Sequence, residues 1–347
     1  MSSRPAAKVT ISTIAAEAGV STATVSKVLN GRADVSTATR DRIRQIMARH
    51  HYQPRRARRR GGVVDLVLNE LDSLWSIEII RGAEEALRDE GVSMMLSAVH
   101  GSTAGTNAWL DQLAARRSDG AILVVSDLTP RQRTKLGALG IPFVLVDPVG
   151  NVDPTVPTIG ATNWAGAIAA TEHLIGLGHR RIAHLAGPRQ LLCSRARADG
   201  FHAAMEAAGL PVPDGAVRYG EFNDPSGRTE MAALLDEADR VGRPSPTAVF
   251  AASDLQAFGA YTALRERGLR VPDDVSVVGF DDVPVTRWSD PALTTVRQPL
   301  QEMAAMAANT LLRLVDGEDV NLPRVELATH LVVRGSTAAP VVATGAG

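Results

Sequence analysis

The sequence predicts an α/β protein: an N-terminal three-helix helix-turn-helix head followed by two doubly wound parallel-sheet lobes. Three observations lead there. A length of 347 residues suggests two or three folded units at roughly 100–200 residues each. Residues 1–60 carry 13 Lys+Arg against Glu17, Asp34 and Asp41, a net +10, which leaves −11 for the rest of the chain. From residue 62 onward, short β-branched runs alternate with amphipathic helical stretches, the pattern of parallel sheets covered by helices.

The head comes first. Ile11, Ile14, Ala15 and Ala18 share one helical face, and Gly19 stops that helix. Ser21 or Thr22 can cap a second helix whose buried stripe is Val25, Val28 and Leu29, with Thr22, Ala23, Thr24, Ser26 and Lys27 left outward. Asn30-Gly31 breaks it. Ser36 opens a third helix, Thr37 to His50, with Ile43, Ile46 and Met47 on its apolar side. Two helices joined by a tight Gly-Val-Ser turn form a helix-turn-helix, and small polar side chains on the second suit close approach to base edges. A basic head on an acidic body is the charge distribution of a polyanion-binding module attached to something else.

The body follows in order. Strand Val63–Leu68 precedes helix Ile77–Arg88, Val92–Ala98 precedes Trp109–Arg116, and Ala121–Val125 precedes Pro130–Leu139, before a strand at Pro142–Val146. A second series runs through Trp164–Leu177, Arg181–Leu185, Arg197–Ala208, Ala216–Gly220, Thr229–Asp239, Ala248–Ala251, Leu255–Arg267 and Val275–Phe280. Two such series argue for two lobes, with ligand beyond the carboxyl ends of the strands, in the cleft between them. Candidates at those ends are Asp72, Trp75, Asp147, Asn163, Trp164, Arg197, Phe222, Asp254 and Asp281. Charged and amide groups there would hydrogen-bond polar groups of a ligand, and an aromatic ring would cover an apolar face. Asp254 could instead cap a helix, and Trp288 belongs either to the cleft rim or to packing at the hinge.

Several function classes are excluded. The single cysteine, Cys193, forbids an intramolecular disulfide and a Cys-rich zinc module and fits a reducing compartment. No run approaches the ~18 apolar residues of a membrane span. Met1 to Lys8 leads into no apolar signal segment, so a cytoplasmic protein without a membrane partner is expected. No Walker loop, no Gly-x-Gly-x-x-Gly after the first strand and no Gly-x-Ser-x-Gly is present, and the eight histidines lack metal-site spacing. No catalytic residue, metal or cofactor is expected.

The run Val9-Thr-Ile-Ser-Thr-Ile-Ala-Ala-Glu-Ala-Gly-Val-Ser-Thr-Ala-Thr-Val-Ser-Lys-Val-Leu-Asn30 resembles the N-terminal signature of the LacI/GalR family of bacterial repressors. So do Leu177-Gly-His-Arg-Arg-Ile182, Arg197-Ala-Asp-Gly-Phe201, Pro246-Thr-Ala-Val-Phe250, the stretch Val271 to Asp282, and Pro291-Ala-Leu-Thr-Thr-Val-Arg-Gln-Pro299, all in the family's order. The resemblance implies a periplasmic-binding-protein-like core whose chain crosses between lobes three times. It implies a head over 1–53, an Arg-rich hinge over 54–62, a core over 63–340 and a tail over 341–347. Lobe 1 is expected at about 63–160 plus 293–326, and lobe 2 at about 161–290 plus 327–340.

The function implied is a sugar-controlled repressor, working as a homodimer on a near-palindromic operator. A sugar acting as inducer is the first expectation; a corepressor-dependent regulator or a freestanding sugar-binding protein is the alternative. Arg197, Asp281 and Phe222 occupy positions where the family holds effector. Thr22, Ala23, Thr24, Ser26, Lys27 and Asn30 would face bases, with Lys8, Arg32, Arg40, Tyr52, Arg55, Arg56, Arg58 and Arg59 on the DNA backbone or minor groove. The hinge departs from the family pattern. Tyr52-Gln-Pro54 is followed by five arginines before Gly61, and the leucine that relatives wedge into the minor groove is missing. A mainly electrostatic grip with less bending of the operator is therefore expected.

Overall fold

The computed structural model describes residues 11–29, 35–50, 62–116, 118–124, 128–149, 153, 155–318, 320 and 324–341. The chain divides into two units, Met1–Arg59 and Arg60–Gly347, a division that falls inside the arginine-rich stretch.

The first unit holds α1 (Ile11–Ala18), α2 (Thr22–Leu29) and α3 (Thr37–Arg49). Ile14, Ala15 and Ala18 of α1 bury against Val25 and Val28 of α2 and Ile43 and Ile46 of α3, with Val35 closing the end. Gly19 adopts φ +64°, the left-handed turn that ends α1 and is open to glycine without strain. Ser21 Oγ accepts the Thr24 amide at 3.1 Å and so caps α2. Ser36 caps α3 in the same way through Thr39 N at 3.3 Å. Each cap contributes about 1 kcal/mol to a helix too short to stand alone.

The second unit contains two six-stranded sheets. Lobe 1 is built on β1 (Val63–Leu68), β2 (Ser93–Ala98), β3 (Gly120–Val124), β4 (Phe143–Val146), β5 (Thr158–Ala161) and β11 (Arg324–Leu327), ordered β11-β5-β4-β3-β1-β2 and parallel throughout. Helices α4 (Leu74–Asp89) and α11 (Leu300–Val315) cover one face; α5 (Thr103–Arg116) and α6 (Pro130–Ala138) cover the other. Lobe 2 carries β6 (Ile182–Ala186), β7 (Val217–Tyr219), β8 (Ala248–Ala251), β9 (Ser276–Asp281), β10 (Thr294–Arg297) and β12 (His330–Val332), ordered β12-β10-β9-β8-β6-β7. Only β12 runs antiparallel, against β10. Helices α7 (Asn163–Gly176) and α8 (Leu192–Ala207) bury one face, α9 (Asp224–Val241) and α10 (Asp254–Glu266) the other.

The chain passes between the lobes at 161–163, 297–300 and 327–330. One expected boundary moves. Residues 293–297 were expected in lobe 1, but β10 pairs with β9 from Thr294 to Arg297 and so belongs to lobe 2. The return to lobe 1 begins only with α11, whose Leu300, Met303, Ala307 and Leu311 enter that lobe's core. A strand is assigned by its ladder rather than by its place in the sequence, and Thr294-Thr-Val-Arg297 reads equally well against either sheet.

Candidate functional site

The carboxyl ends of both sheets face a cavity of about 520 Å³, inside the range of small-molecule sites, roughly 300–1,000 Å³. Lobe 1 contributes Asp72 and Trp75 from the start of α4, and Asp147 from the end of β4. Lobe 2 contributes Arg197 of α8, Phe222 after β7 and Asp281 at the end of β9. The two lobes also touch through a backbone bridge between Val149 and Leu191, which brings the loop carrying Asp147 up to the first turn of α8, where Cys193 sits.

Arg197 is the centre of the arrangement. Its side chain is 3% exposed, and it is oriented rather than neutralised. Nε donates to Asn163 Oδ1 at 2.8 Å and Nη1 to the Ala252 carbonyl at 2.5 Å. The guanidinium carbon lies 3.8 Å from the centre of the Phe280 ring and 5.4 Å from that of Phe222. Asp281 Oδ1 stands 3.8 Å from Nη1, an ion pair but too long for a good hydrogen bond. That oxygen accepts instead from Gln298 Nε2 at 2.6 Å.

The ring of Phe222 depends on Gly187. A Cβ at Gly187 would stand 2.1 Å from Phe222 Cε1, so only glycine leaves the aromatic face room beside the cleft. Asp147 and Asp281 both sit on left-handed backbone, φ +44° and +124°. Non-glycine residues adopt such conformations at a cost of order 1–3 kcal/mol, and they concentrate at ligand clamps. Burial pushes the Asp147 carboxyl up to about 6, with Arg197 pulling the other way. Burial likewise raises Asp281, again opposed by Arg197. Two carboxylates that hold their charge reluctantly around one buried guanidinium can accept from hydroxyls while the guanidinium donates. That is the recognition chemistry of a polyol.

The other expected residues fall in different places. Asn163 is spent on Arg197 and on the Ala161 carbonyl (3.1 Å), so it positions the arginine. Trp164 lines a separate hollow of about 220 Å³ together with Asp147 and Cys193. Asp254 faces away from the cavity. Its carboxylate accepts from Val283 N at 2.9 Å and Thr295 Oγ1 at 2.5 Å, and Ser253, not Asp254, caps α10. Trp288 is 79% exposed and lines neither the cleft nor a packed hinge. Leu191, Cys193, Glu221, Asn223 and Leu255 line the cavity without having been selected from the sequence. Burial pushes the Cys193 thiol up to about 11, so it stays protonated at neutral pH.

His184, sandwiched between Phe201 and Phe250, is held down to about 3 by burial and is part of the core. His179 ties Thr247, Ser276 and the Ala338 carbonyl together. Among the described residues no cluster of His, Cys, Asp or Glu could hold a metal ion, and no helix is long and apolar enough to cross a membrane.

In the head, Thr22 and Lys27 are exposed on α2 and Thr24 is half-buried; the side chains of Ala23 and Ser26 lie outside the described residues. Arg40 is half-buried and donates through Nη2 to the Val35 carbonyl at 3.3 Å, which fixes its position at the start of α3. Arg49 and His50 at the end of α3 are both paired with Glu17 of α1. Lys8, Asn30, Arg32, Tyr52, Arg55, Arg56, Arg58 and Arg59 lie outside the described residues, and the whole hinge reading with them.

Comparison with known proteins places this architecture. Residues 10–55 match the family model for bacterial regulatory proteins of the lacI family, and residues 171–337 match a periplasmic binding protein-like domain. The transcriptional regulator CelR of Thermobifida fusca is 36% identical over 339 residues, spanning 94% of this chain and 98% of that protein. Among solved structures, a CelR–cellobiose complex superimposes with a TM-score of 0.73 at 35% identity, over 95% of this chain and all of the other. The lac repressor dimer bound to operator and an anti-inducer gives 0.69 at 29% identity, over 96% and 100%. A helix-turn-helix unit ahead of two lobes, matched along nearly the whole of both chains, admits one conclusion: this chain belongs to the LacI family of bacterial regulatory proteins.

Proposed function

We propose that the protein is a transcriptional repressor that binds a near-palindromic operator as a homodimer and releases it when a small sugar occupies the cavity between its lobes. The observation that supports this most directly is Arg197. It is buried and aimed by Asn163 and Ala252, yet held 3.8 Å from its carboxylate, with an aromatic face beside it. The CelR structure, which contains cellobiose, and the lac repressor dimer on operator support the two halves of the reading.

In the head, Thr22, Ala23, Thr24, Ser26 and Lys27 of α2, with Asn30 after it, read the major groove. Lys8, Arg32, Arg40, Tyr52 and the hinge arginines Arg55, Arg56, Arg58 and Arg59 position it on phosphates or in the minor groove. In the cleft, Asp72, Trp75, Asp147, Phe222 and Asp281 join Arg197 around the sugar, Asn163 acts through Arg197, and Asp254 holds the Val283 amide behind the wall. Sugar acts by binding one lobe arrangement better than the other, so operator must weaken sugar binding by the same factor that sugar weakens operator binding.

Operator anisotropy with the chain's own upstream DNA tests this. A sugar should lower the wild-type affinity, and Arg197→Ala should keep operator affinity within about twofold while losing the response. Sugar that tightens DNA binding would make it a corepressor. A complete absence of sugar effect on either DNA affinity or melting midpoint would sink the reading. Operator affinity should also fall roughly 10³-fold between 50 and 200 mM salt if about six phosphates are neutralised.

A further inference from the structure

Lobe 2 has another hollow, of about 170 Å³, at the end opposite the cleft. It opens among the three loops that lead into β6, β7 and β8, with the last turns of α9 beside them. Four prolines stand in those loops, Pro211, Pro213, Pro244 and Pro246, and Ile182, Leu234 and Ala238 supply buried apolar wall. Proline fixes its own backbone and carries no N–H, so this wall is shaped before any ligand arrives and presents rigid C–H surface. Hydrogen bonds pin two of the loops together. Arg181 Nε donates to the Ser245 carbonyl at 3.0 Å, and Thr247 N donates to the Arg181 carbonyl at 2.9 Å.

The charges around the hollow do not cancel. Glu237 is spent on Arg218 Nη1 at 3.3 Å and on Arg243 at 3.6 Å. Gly215, at φ +82°, leaves that carboxylate room, since a Cβ there would stand 3.0 Å from its Oε2. Arg180 and Arg181 are exposed; among the described residues they donate to backbone carbonyls and meet no carboxylate. Asp214, in the Pro-Asp-Gly turn before β7, is the one other acid in the lining among the described residues, so arginine prevails.

The space equals roughly six waters at ~30 Å³ each, room for one ring and a small substituent. Rigid proline surface packs on aromatic faces, and a guanidinium takes a carboxylate through two parallel N–H groups. We propose that this hollow is a second ligand site, for an aromatic carboxylate of about the size of benzoate. The ring lies between the prolines and α9, and the carboxylate lies on Arg180 and Arg181. A ligand there touches the far ends of β6, β7 and α9, whose other ends reach the cavity around Arg197, where Pro188, Phe222 and Asp224 line it.

Calorimetric titration of the full-length protein at neutral pH tests this with benzoate, acetate and benzyl alcohol. Benzoate should bind at least about tenfold more tightly than acetate, which has the charge without the ring, and than benzyl alcohol, which has the ring without the charge. Arg180→Gln combined with Arg181→Gln should weaken benzoate at least about tenfold while operator affinity stays within about twofold. Ala238→Leu, which fills the hollow from α9, should do the same. Arg197→Ala should leave benzoate binding in place, because Arg197 belongs to the other cavity. Operator binding retained in each variant shows that it has folded. Benzoate binding that survives the double substitution or a folded Ala238→Leu variant overturns the proposal, and so does binding that disappears with Arg197→Ala. Acetate or benzyl alcohol binding as tightly as benzoate, or no titration with benzoate at all, overturns it as well.

Discussion

Asp65 and Asp281 are buried carboxylates, one in each sheet, and their surroundings differ in a way that separates structure from function. Asp65, in the middle of β1, is satisfied within its own lobe: Trp109 Nε1 donates at 3.2 Å, Arg116 Nη2 at 3.0 Å and Ser118 Oγ at 2.5 Å. Asp281, at the last position of β9, accepts from Gln298, and its cation stands back at 3.8 Å because Asn163 and Ala252 hold it. A carboxylate saturated by its own lobe serves the fold. One left with accepting capacity at a strand end, beside a restrained guanidinium, serves a ligand.

The largest expected effect breaks the saturated site. Asp65→Ala should cost about 3–5 kcal/mol in urea unfolding, because it leaves Arg116 and the Trp109 N–H without their buried acceptor. The fraction that folds should respond to sugar normally. A loss under about 1 kcal/mol would erase the distinction between the two carboxylates. Next, Asp281→Asn should leave stability near wild type while weakening sugar binding by about 1.5–3 kcal/mol, roughly tenfold to a hundredfold, read by calorimetry.

A pH series sharpens the comparison further. Burial makes the Asp147 carboxyl hold its proton to about 6 in the folded chain, against the ordinary 3.8. The folded state therefore binds more protons across that window, and this group's contribution to stability falls as pH rises through it. Asp147→Asn should melt above wild type at pH 7 and match it below about pH 4, by calorimetry at both. The smallest effect is Ser118→Ala, about 1 kcal/mol for one donor of three, measured in the same urea series.

Much of this arrangement is legible in the chain itself. Short β-branched or apolar runs between helical stretches locate β1 to β4 and β6 to β9, because most buried parallel strands read as apolar runs. Helix starts are harder. Helices α5 and α9 begin six and five residues earlier than expected, at Thr103 and Asp224, since their first turns, Thr-Ala-Gly-Thr and Asp-Pro-Ser-Gly, carry no apolar periodicity. Strand β5, Thr-Ile-Gly-Ala, is too short and glycine-broken to stand out. In the site, Arg197, Asp281 and Phe222 come from motifs, and Asp72, Trp75 and Asp147 from strand-end logic. Asp254 shares that logic yet turns its carboxylate to Val283 and Thr295, partners 29 and 41 residues away that no local pattern reveals. Gln298 escapes notice for the same reason: it lies at a crossing between lobes, not at a strand end.

The three crossings have a consequence for how the protein is made. Each sheet takes its outermost strand from the last part of the chain: β11 at 324–327 for one lobe, β12 at 330–332 for the other. A ribosome must therefore release residues through 327 before the first sheet is complete and through 332 before the second is, and until then β5 and β10 respectively are open edges able to pair with another chain. The lobes finish within a few residues of each other, so a late truncation or a stalled ribosome disables both at once and leaves no half-built lobe able to respond to sugar alone.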